Sequence, residues 1–392
     1  MDASPINVAL LSAFPATELL PETMVKPRYR GREHPASWVR ALSGALSERR
    51  DIRATVLVDS RAVSRERRAR MGRVEFVFLP KIEPLRMSPY HLHVPQLLRF
   101  RRRLSALNAD IVHGFGTEGG NGLCAVLLAK RHVLTVQGIR SELHPFKDAG
   151  RLKKRLWVLL ERYAVRRARV LVCQSEFGRA WVERVNPLAR LFVMPNAVNT
   201  EFLHVKPTFS EKKLLCVGAL SRTKGTDTIL RAFSRCRKEA GERLVFLGAS
   251  PALSEYRRMA DRCGLSHHVT FSGQVCRDDL LEEMRTARGI VLGSRMDTSP
   301  NVITEAHAAG LPVIATRAGG IPDLVEHGKD GFLAAVEDAE DLAGKMRILF
   351  ENPSLCAQLG HAGRAKVSVA NDPDRIAGQH VEMYKELARA QA

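Results

Sequence analysis

Two carboxylates lie close together in the stretch Ser294–Gly320, which reads SRMDTSPNVITEAHAAGLPVIATRAGG. Asp297 lies in a polar loop after a buried strand, and Glu305 follows eight residues later in the first turns of a predicted helix. Both side chains can therefore point into one pocket. Carboxylates would repel a phosphate, but they accept hydrogen bonds from sugar hydroxyls. In the alternative interpretation Glu305 only complements the helix dipole and Asp297 is a turn residue. The residues alone favour neither interpretation.

The loop that carries Asp297 leads into a helix predicted from about Val302 to Ala309. Ser299 or Asn301 would be a suitable N-cap for this helix, and Gly310 is typical of its end. The first turn of a helix presents backbone N–H groups and the positive end of the helix dipole, which suits a phosphate group.

A second strand–loop–helix unit occupies Cys216–Thr226, with the sequence CVGALSRTKGT. A strand ends at Gly218, and Arg222 and Lys224 follow in the loop, where they would suit a diphosphate. The order of a Walker A loop is absent, and so is the GxGxxG pattern of dinucleotide-binding folds. In the alternative interpretation Lys224 is a solvated loop lysine.

The first half of the chain offers candidates for a second binding surface. Arg30 and Gly31 lie in a basic loop after the first predicted strand, where a glycine lets the backbone approach a ligand. His113 and Gln137 each end a predicted strand. Active sites of open parallel sheets lie at such strand ends, although a single histidine there is more often structural.

Two other patterns are weaker. Asp372 and Asp374 flank Pro373 in the DxD form of a metal site, but a helix follows directly, so capping explains them better. We therefore expect no metal. The basic clusters Arg101–Arg103 and Arg151–Arg155 lie on amphipathic helices. Each is either a solvated face or a contact surface for an anionic membrane.

The elements that must position these residues are short apolar runs that alternate with helical stripes, which predicts parallel sheets covered by helices. The first half has predicted strands at Ile6–Leu11, Ala54–Val58, Glu75–Phe78, Ile111–His113, Val133–Val136 and Val170–Cys173. The second half has predicted strands at Leu214–Val217, Leu244–Leu247, Val269–Phe271, Ile290–Leu292 and Val313–Ala315. We predict two doubly wound α/β domains, residues 1–205 and 206–370, followed by a helix in 371–392.

The 392 residues are 45% hydrophobic and 26% charged, which excludes a disordered, collagenous or membrane-embedded protein. The longest uncharged apolar runs are far shorter than the roughly 20 residues that span a bilayer. The apolar segment Ile6–Leu11 lacks the basic lead of a secretory signal. The seven cysteines form no CxxC pair, and Cys173 and Cys216 lie in apolar runs, as buried thiols do. These features predict a cytoplasmic protein.

Positive charge is concentrated in the first half. Residues 1–205 hold 35 of the 61 basic and 18 of the 42 acidic residues, which is +17 of the chain's net +19. This asymmetry indicates an anionic partner of the first domain. Nucleic acid, anionic lipid and an acidic substrate all satisfy it, but aromatic residues are only 6% of the chain, so platforms for base stacking would be sparse.

Taken together, the motifs resemble those of retaining family 4 glycosyltransferases, which have the GT-B fold. The resemblance runs nearly end to end. It rests on Gly31, His113, PNAVNTEF at Pro195–Phe202, VGALSRTKG at Val217–Gly225, and DTSPNVITEA followed by PVIAT and a glycine pair. The resemblance implies two Rossmann-like domains that face an interdomain cleft, with a C-terminal helix that crosses back to the first domain.

The resemblance also implies roles for individual residues. Lys224 and Arg222 would contact the donor's diphosphate, Glu305 the ribose, and Asp297 the transferred sugar. The implied donor site comprises Gly218, Arg222, Lys224, Gly273, Gln274, Val275, Ser299, Pro300, Asn301, Val302 and Glu305. The implied catalytic set comprises Asp297, Glu305, Lys224 and His113, and the acceptor side comprises Arg30, Gly31, His113 and Gln137.

This sequence departs from the family pattern at several positions. Asp297 stands where the family usually has Glu, and Ala219 where an Arg often follows the Val–Gly pair. Gln137 stands where the family often has His, and glutamine cannot act as a general base. The glycine pair of the first domain appears here as Arg30–Gly31.

The expected function is transfer of a sugar from a UDP- or GDP-sugar to a lipid-linked or polysaccharide acceptor of the cell envelope. The nucleotide sugar is a co-substrate, and no cofactor is expected. We also expect contact with an anionic membrane at the inner face of the cell membrane, and no nucleic acid partner. Two alternatives stay open: transfer to a small soluble acceptor, and a non-catalytic Rossmann-like protein that binds nucleic acid.

Overall fold

The computed structural model describes residues 4–29, 36–81, 93–117, 120–143, 151–236 and 241–390, without the side chains of Arg28, Arg151 and Lys153. These residues form two compact units. The first unit contains the described residues up to Ala197 together with the segment that begins at Pro373. The second unit comprises Val198–Asp372.

The first unit is built on a sheet of eight strands. They are β1 (Ile6–Leu11), β2 (Ile52–Ser60), β3 (Arg67–Met71), β4 (Val74–Pro80), β5 (Ile111–Phe115), β6 (His132–Val136), β7 (Val170–Cys173) and β8 (Arg190–Val193). Their order in the sheet is β3-β4-β2-β1-β5-β6-β7-β8. All neighbours are parallel except β3, which pairs antiparallel with β4.

Helices cover both faces of this sheet. They are α1 (Ser37–Ser47), α2 (Val94–Leu107), α3 (Asn121–Leu128), α4 (Arg140–Leu143), α5 (Arg151–Arg167), α6 (Glu176–Val185) and, from the end of the chain, α13 (Pro373–Arg389). Successive side chains of a strand point to opposite faces. Val8 and Leu10 of β1 accordingly pack in one core with residues of α1 and α13, while Ala9 and Leu11 pack in another with residues of α2 and α3.

The second unit is built on a fully parallel sheet of six strands. They are β9 (Lys213–Val217), β10 (Arg243–Leu247), β11 (Val269–Gly273), β12 (Gly289–Leu292), β13 (Val313–Thr316) and β14 (Gly331–Ala334), in the order β11-β10-β9-β12-β13-β14. The helices are α7 (Thr226–Cys236), α8 (Leu253–Arg262), α9 (Arg277–Thr286), α10 (Asn301–Ala308), α11 (Ala339–Glu351) and α12 (Pro353–Ala370).

The fold class predicted from the sequence is confirmed, because both units are doubly wound α/β sheets. The first unit ends at Ala197 rather than at residue 205. The reason is packing: Val198, Phe202 and Val205 are buried in the core of the second unit. The terminal helix begins at Pro373 and its buried face, including Tyr384, lies in the core of the first unit.

Candidate functional site

The candidate site lies at the switch point of the second sheet. The chain runs outward from β9 through β10 to β11 and then returns to the other side of β9 as β12. The loops after β9 and β12 therefore leave the same carboxyl edge in opposite directions, which is where open parallel sheets bind ligands. These two loops contain Arg222, Lys224 and Asp297, three of the residues selected from the sequence.

Lys224 and Asp297 meet in this crevice, although 73 residues separate them in the chain. Lys224 Nζ lies 2.5 Å from Asp297 Oδ2. The side chain of Lys224 is 42% exposed, whereas that of Asp297 is only 14% exposed. The ammonium group is therefore both positioned by the carboxylate and open to an anion from solvent.

Glycines bring the loops of the site into contact. Gly225 follows Lys224 with a φ of +66°, and a Cβ there would lie 1.8 Å from the carbonyl oxygen of Gly293. Gly319 has a φ of +56°, and a Cβ there would lie 2.1 Å from the carbonyl oxygen of Asp297. Gly320 N–H donates to the same carbonyl at 2.9 Å. A side chain at Gly225 or Gly319 would push the loops apart, so these glycines set the loop spacing.

Arg295 is a residue of the site that sequence reasoning missed. Its side chain is only 3% exposed. Nη1 and Nη2 donate to the two oxygens of Asp227 at 2.8 and 2.9 Å, and Nε donates to Glu337 Oε1 at 2.7 Å. Nη1 also donates to the carbonyl of Arg222, and the Arg295 backbone N–H donates to the carbonyl of Thr223 at 2.8 Å. One buried guanidinium thus joins the loop after β9 to the loop after β12.

The electrostatics at Asp227 follow from this arrangement. Burial alone would raise the pKa of the Asp227 carboxyl, but hydrogen bonds and positive charge from Arg295 and Arg231 hold that pKa below its ordinary value. The pKa of Arg295 is raised above its ordinary value, chiefly by the hydrogen bonds to Asp227. Both groups therefore stay charged across the neutral range.

Helix α10 starts beside this crevice. It runs from Asn301 to Ala308, so it begins and ends one residue earlier than predicted. The predicted N-cap was wrong, because the N-cap is Pro300 and no side chain caps the helix there. Ser299 and Val302 are half-buried on either side of the helix start, and Glu305 is half-buried one turn further on. The first-turn N–H groups of such a helix attract anions.

The remaining donor-site predictions lie at the same edge of the sheet. Gly218 follows β9 with a φ of +121°, and the side chain of Arg222 is exposed. Gly273 ends β11 with a φ of +74°, and the exposed Gln274 and half-buried Val275 follow it. The order of the strands places the turn after β11 two strands away from β9, on the far side of β10.

His113 has a different environment from the one predicted. It lies in the middle of β5 rather than at its end, and its side chain is fully buried. Its Nδ1 lies 2.6 Å from the Tyr384 hydroxyl and its Nε2 lies 2.6 Å from Thr135 Oγ1. Burial, with a smaller effect of His380, holds the pKa of His113 well below its ordinary value. The neutral ring links β5 to α13 within the core of the first unit.

Gln137 follows β6, as predicted, and is half-buried. Its Nε2 is buried without a hydrogen-bond partner among the described residues. Nearby, the buried Glu161 carboxylate of α5 accepts hydrogen bonds from the backbone N–H groups of Arg140 and Ser141 at 2.8 and 3.1 Å. Arg30 and Gly31, the other acceptor-side predictions, lie outside the described residues.

The described residues were also searched for metal sites, disulfides and membrane-spanning helices. The described residues contain no cluster of three or more histidine, cysteine or acidic side chains that could hold a metal ion. All seven cysteines are free, and burial raises the pKa of Cys173 to about 12. Among the described residues, none of the helices combines the length and apolar character that crossing a bilayer requires.

Two family models match the chain. The model described as Glycosyltransferase Family 4 matches residues 36–202, and the model described as Glycosyl transferases group 1 matches residues 200–366. The second match contains the whole crevice between the loops after β9 and β12.

Curated relatives match parts of the chain. A GDP-mannose-dependent alpha-(1-6)-phosphatidylinositol monomannoside mannosyltransferase of Mycobacterium tuberculosis is 30% identical over 231 residues, which cover 54% of this chain and 59% of the relative. An N-acetyl-alpha-D-glucosaminyl L-malate synthase of Bacillus anthracis is 26% identical over 180 residues, which cover 46% of this chain and 47% of the relative. The matches thus span about half the length of these relatives.

Solved structures match nearly the whole chain. The sucrose-phosphate synthase of Thermosynechococcus elongatus has a TM-score of 0.81 at 20% identity, covering 98% of this chain and 100% of the other. HepE of Anabaena, solved with UDP-glucose, has a TM-score of 0.73 at 18% identity, covering 97% of this chain and 100% of the other. At these identities the likeness shows the fold, which is GT-B.

Proposed function

This chain belongs to the family of group 1 and family 4 glycosyltransferases, and from that premise we propose that it transfers a sugar from a nucleotide diphosphate donor to an acceptor hydroxyl. The observation that carries the proposal is the pairing of Lys224 with Asp297 at the switch point of the second sheet, beside the start of α10. A cation, a carboxylate and a helix N-terminus in one crevice suit a ligand that joins a diphosphate to a sugar.

In the proposed donor complex, the diphosphate lies against Lys224 and the first turn of α10. Because Lys224 is exposed, an incoming phosphate competes with Asp297 for its ammonium group. Asp297 then accepts hydrogen bonds from the hydroxyls of the transferred sugar, and Glu305 accepts them from the ribose. Arg222, on the same loop, supplies further positive charge.

The proposed reaction retains the configuration of the anomeric carbon. The acceptor oxygen bonds to that carbon on the face from which the diphosphate departs, and the bond between the carbon and the phosphate oxygen breaks. The diphosphate leaves with the electron pair and takes the hydroxyl proton, so no protein nucleophile is needed. Lys224 and the α10 N-terminus stabilise the charge that develops on the leaving group. His113 has no part in this mechanism, because it is buried and hydrogen-bonded on both ring nitrogens.

Two observations support a choice of donor and acceptor. The mannosyltransferase relative is named as GDP-mannose-dependent and as acting on a phosphatidylinositol mannoside, while HepE was solved with UDP-glucose. The first half of the chain carries nearly all of the net positive charge. We therefore propose a UDP- or GDP-sugar donor, with GDP-mannose as the first candidate. The acceptor would be an anionic, lipid-linked glycan at the inner face of the cell membrane.

The experiment is a transfer assay with GDP-mannose, UDP-glucose and UDP-N-acetylglucosamine, offered with a membrane lipid extract and with soluble acceptors. We expect one donor to be consumed and its sugar to appear on lipid, with an α linkage by NMR from an α-linked donor. Asp297→Asn and Glu305→Gln should each lower kcat/KM on the order of 100-fold. Glu282→Gln, at an exposed carboxylate of α9, is the matched control. Inverted product would refute the retaining mechanism, and no transfer from any donor would refute the proposal.

A further inference from the structure

Helix α5 carries an unusual distribution of charge. Its sequence, RLKKRLWVLLERYAVRR, contains seven basic residues and a single acidic one, Glu161. That carboxylate is buried and engaged with the Thr117 hydroxyl and with the backbone at the start of α4. The solvent-facing side of α5 therefore carries positive charge without a compensating carboxylate of its own.

The apolar residues of α5 divide between two faces. Ala164 and Val165 are buried in the core of the first unit. Leu152, Leu159 and Tyr163 instead face solvent, with 65%, 64% and 47% of their surface exposed. Their spacings of seven and four residues place them on one stripe of the helix. The structure therefore leaves part of the apolar surface of α5 uncovered.

Arginines flank this stripe. Arg155, Arg162 and Arg166 are exposed on the same side of α5, and among the described residues none of them lies in a salt bridge. We call the surface formed by these arginines with Leu152, Leu159 and Tyr163 the α5 face. A helix that presents leucine, tyrosine and unpaired arginine together matches the interfacial helices that lie on anionic bilayers.

We propose that the α5 face docks on an anionic lipid surface, with the leucine side chains and Tyr163 inserted among the headgroups and the arginines paired with lipid phosphates. The inference rests on the proposed function, because a lipid-linked acceptor is met at a bilayer. Lipid binding by the α5 face has two contributions. One is the attraction between its positive charge and the lipid phosphates, and the other is the burial of apolar side chains, which salt does not screen.

Charge and residue type favour lipid over other partners. A second copy of the chain would bring two arginine-rich faces together, and like charges repel. Single-stranded nucleic acid would need aromatic platforms, and the α5 face offers only Tyr163. Leu152 and Leu159 are roughly two-thirds exposed, and a partner that offered only phosphate groups would not bury them. A bilayer would bury both side chains, which is favourable.

The test is co-sedimentation of the full chain with vesicles of pure phosphatidylcholine and with vesicles containing phosphatidylglycerol. We expect binding to the anionic vesicles only, weakened but not abolished by high salt. Arg155→Gln/Arg162→Gln/Arg166→Gln should lower the partition coefficient on the order of 100-fold at low salt. Leu152→Ser/Leu159→Ser should lower it roughly tenfold or more and should abolish the fraction that resists salt.

Matched controls distinguish an effect of the α5 face on vesicle binding from an effect of the chain's total charge or total exposed apolar surface. Leu188→Ser removes a leucine of the first unit that is 94% exposed, and Arg70→Gln/Arg73→Gln removes two exposed cations from the β3–β4 hairpin. Both controls should bind like wild type. Equal losses in controls and test variants would overturn the inference. Vesicle binding that high salt abolishes entirely would also overturn the inference. Self-association of wild type without vesicles, lost in the leucine variants, would overturn it too, because the α5 face would then bind a second copy of the chain.

Donor binding distinguishes this inference from the proposed function. The leucine and arginine variants of α5 should bind nucleoside diphosphate as wild type does, since the donor site lies in the second unit. If wild type binds anionic vesicles but no nucleoside diphosphate, the proposed function fails and the lipid-docking face stands. If it binds nucleoside diphosphate but no vesicle, the α5 inference fails alone.

Discussion

Replacing Arg295 with methionine removes a buried guanidinium that holds the loop of Lys224 in place. The side chain is 3% exposed, and its N–H groups reach Asp227, Glu337 and the carbonyl of Arg222. In Arg295→Met the backbone bond from residue 295 to the carbonyl of Thr223 persists. The loop should therefore stay near its position but lose the charged bond that fixes it.

The magnitudes follow from these contacts. Breaking a buried ion pair costs about 3–5 kcal/mol when the remaining charge stays buried. Glu337 is more than half exposed and regains water, and Asp227 keeps Arg231 at 3.0 Å. We therefore expect the free energy of unfolding to fall by about 3 kcal/mol, the lower end of that range. Re-ordering the loop on binding costs about 1 kcal/mol, which is about a fivefold rise in Kd for the diphosphate.

The assay is titration calorimetry of the folded variant, well below its melting temperature, with UDP and GDP and with the matching nucleosides. Arg295→Met should weaken binding of the diphosphate and leave binding of the nucleoside unchanged, because in the proposed donor complex this loop contacts the phosphates. Arg295→Lys should fall between wild type and methionine, since an ammonium group cannot reproduce the planar fork. Arg285→Met, at an exposed residue paired with Glu282, is the control. The reasoning is refuted if folded Arg295→Met binds the diphosphate within twofold of wild type, or if nucleoside binding weakens equally.

Three further predictions concern stability. Gly225→Ala should lower the free energy of unfolding by about 2 kcal/mol or more, because a strained φ is combined with a close backbone contact. Gly344→Ala, in an open helical position, should instead raise it by up to about 1 kcal/mol. Chemical denaturation measures both changes. Burial lowers the pKa of His307 to about 4, so the unfolded state binds a proton between about pH 6.5 and 4 that the folded state does not. His307 alone should lower the unfolding free energy by about 2 kcal/mol between pH 8 and pH 5. His307→Gln should remove that share of the pH dependence in thermal melts, and a slope equal to that of wild type contradicts the prediction. Tyr384→Phe leaves His113 without its hydroxyl partner and should lower the free energy of unfolding by about 1–3 kcal/mol. The affinity for nucleoside diphosphate, measured by calorimetry, should not change.

The sequence predicted the strands of both sheets well where they are buried on both faces. Such strands read as continuous apolar runs bounded by polar residues, and β1 and β7 match their predicted ranges. The strand β3 was missed because RRARM has an arginine at three of its five positions and forms the antiparallel edge of the sheet. The strands β8 and β14 were missed as well, since edge strands of four residues are too short to show a clear hydrophobic pattern in the sequence.

The sequence placed Arg222, Lys224 and Asp297 just after two strand ends, as the structure has them, but their mutual contacts could not be predicted. Nothing local in the sequence says that Lys224 reaches Asp297 or that Arg295 reaches Asp227, because the contacts depend on which strands are adjacent. His113 shows the same limit more strongly. Its partner Tyr384 lies 271 residues away, so the burial of His113 could not be predicted from the sequence. The roles of the site residues stay predictions.

The measurement that tests the central claim most directly is a thermal-shift panel with UDP, GDP, ADP, dTDP and NAD on wild type and Lys224→Ala. A ligand at 100 times its Kd adds about 2.7 kcal/mol to the free energy of unfolding, which raises the melting temperature by several degrees. Lys329→Ala, at an exposed lysine of the second unit, is the matched control. The donor-site account predicts stabilisation by one nucleoside diphosphate that Lys224→Ala loses and Lys329→Ala keeps. No response to any diphosphate, a response to NAD alone, or an equal response in Lys224→Ala would contradict it.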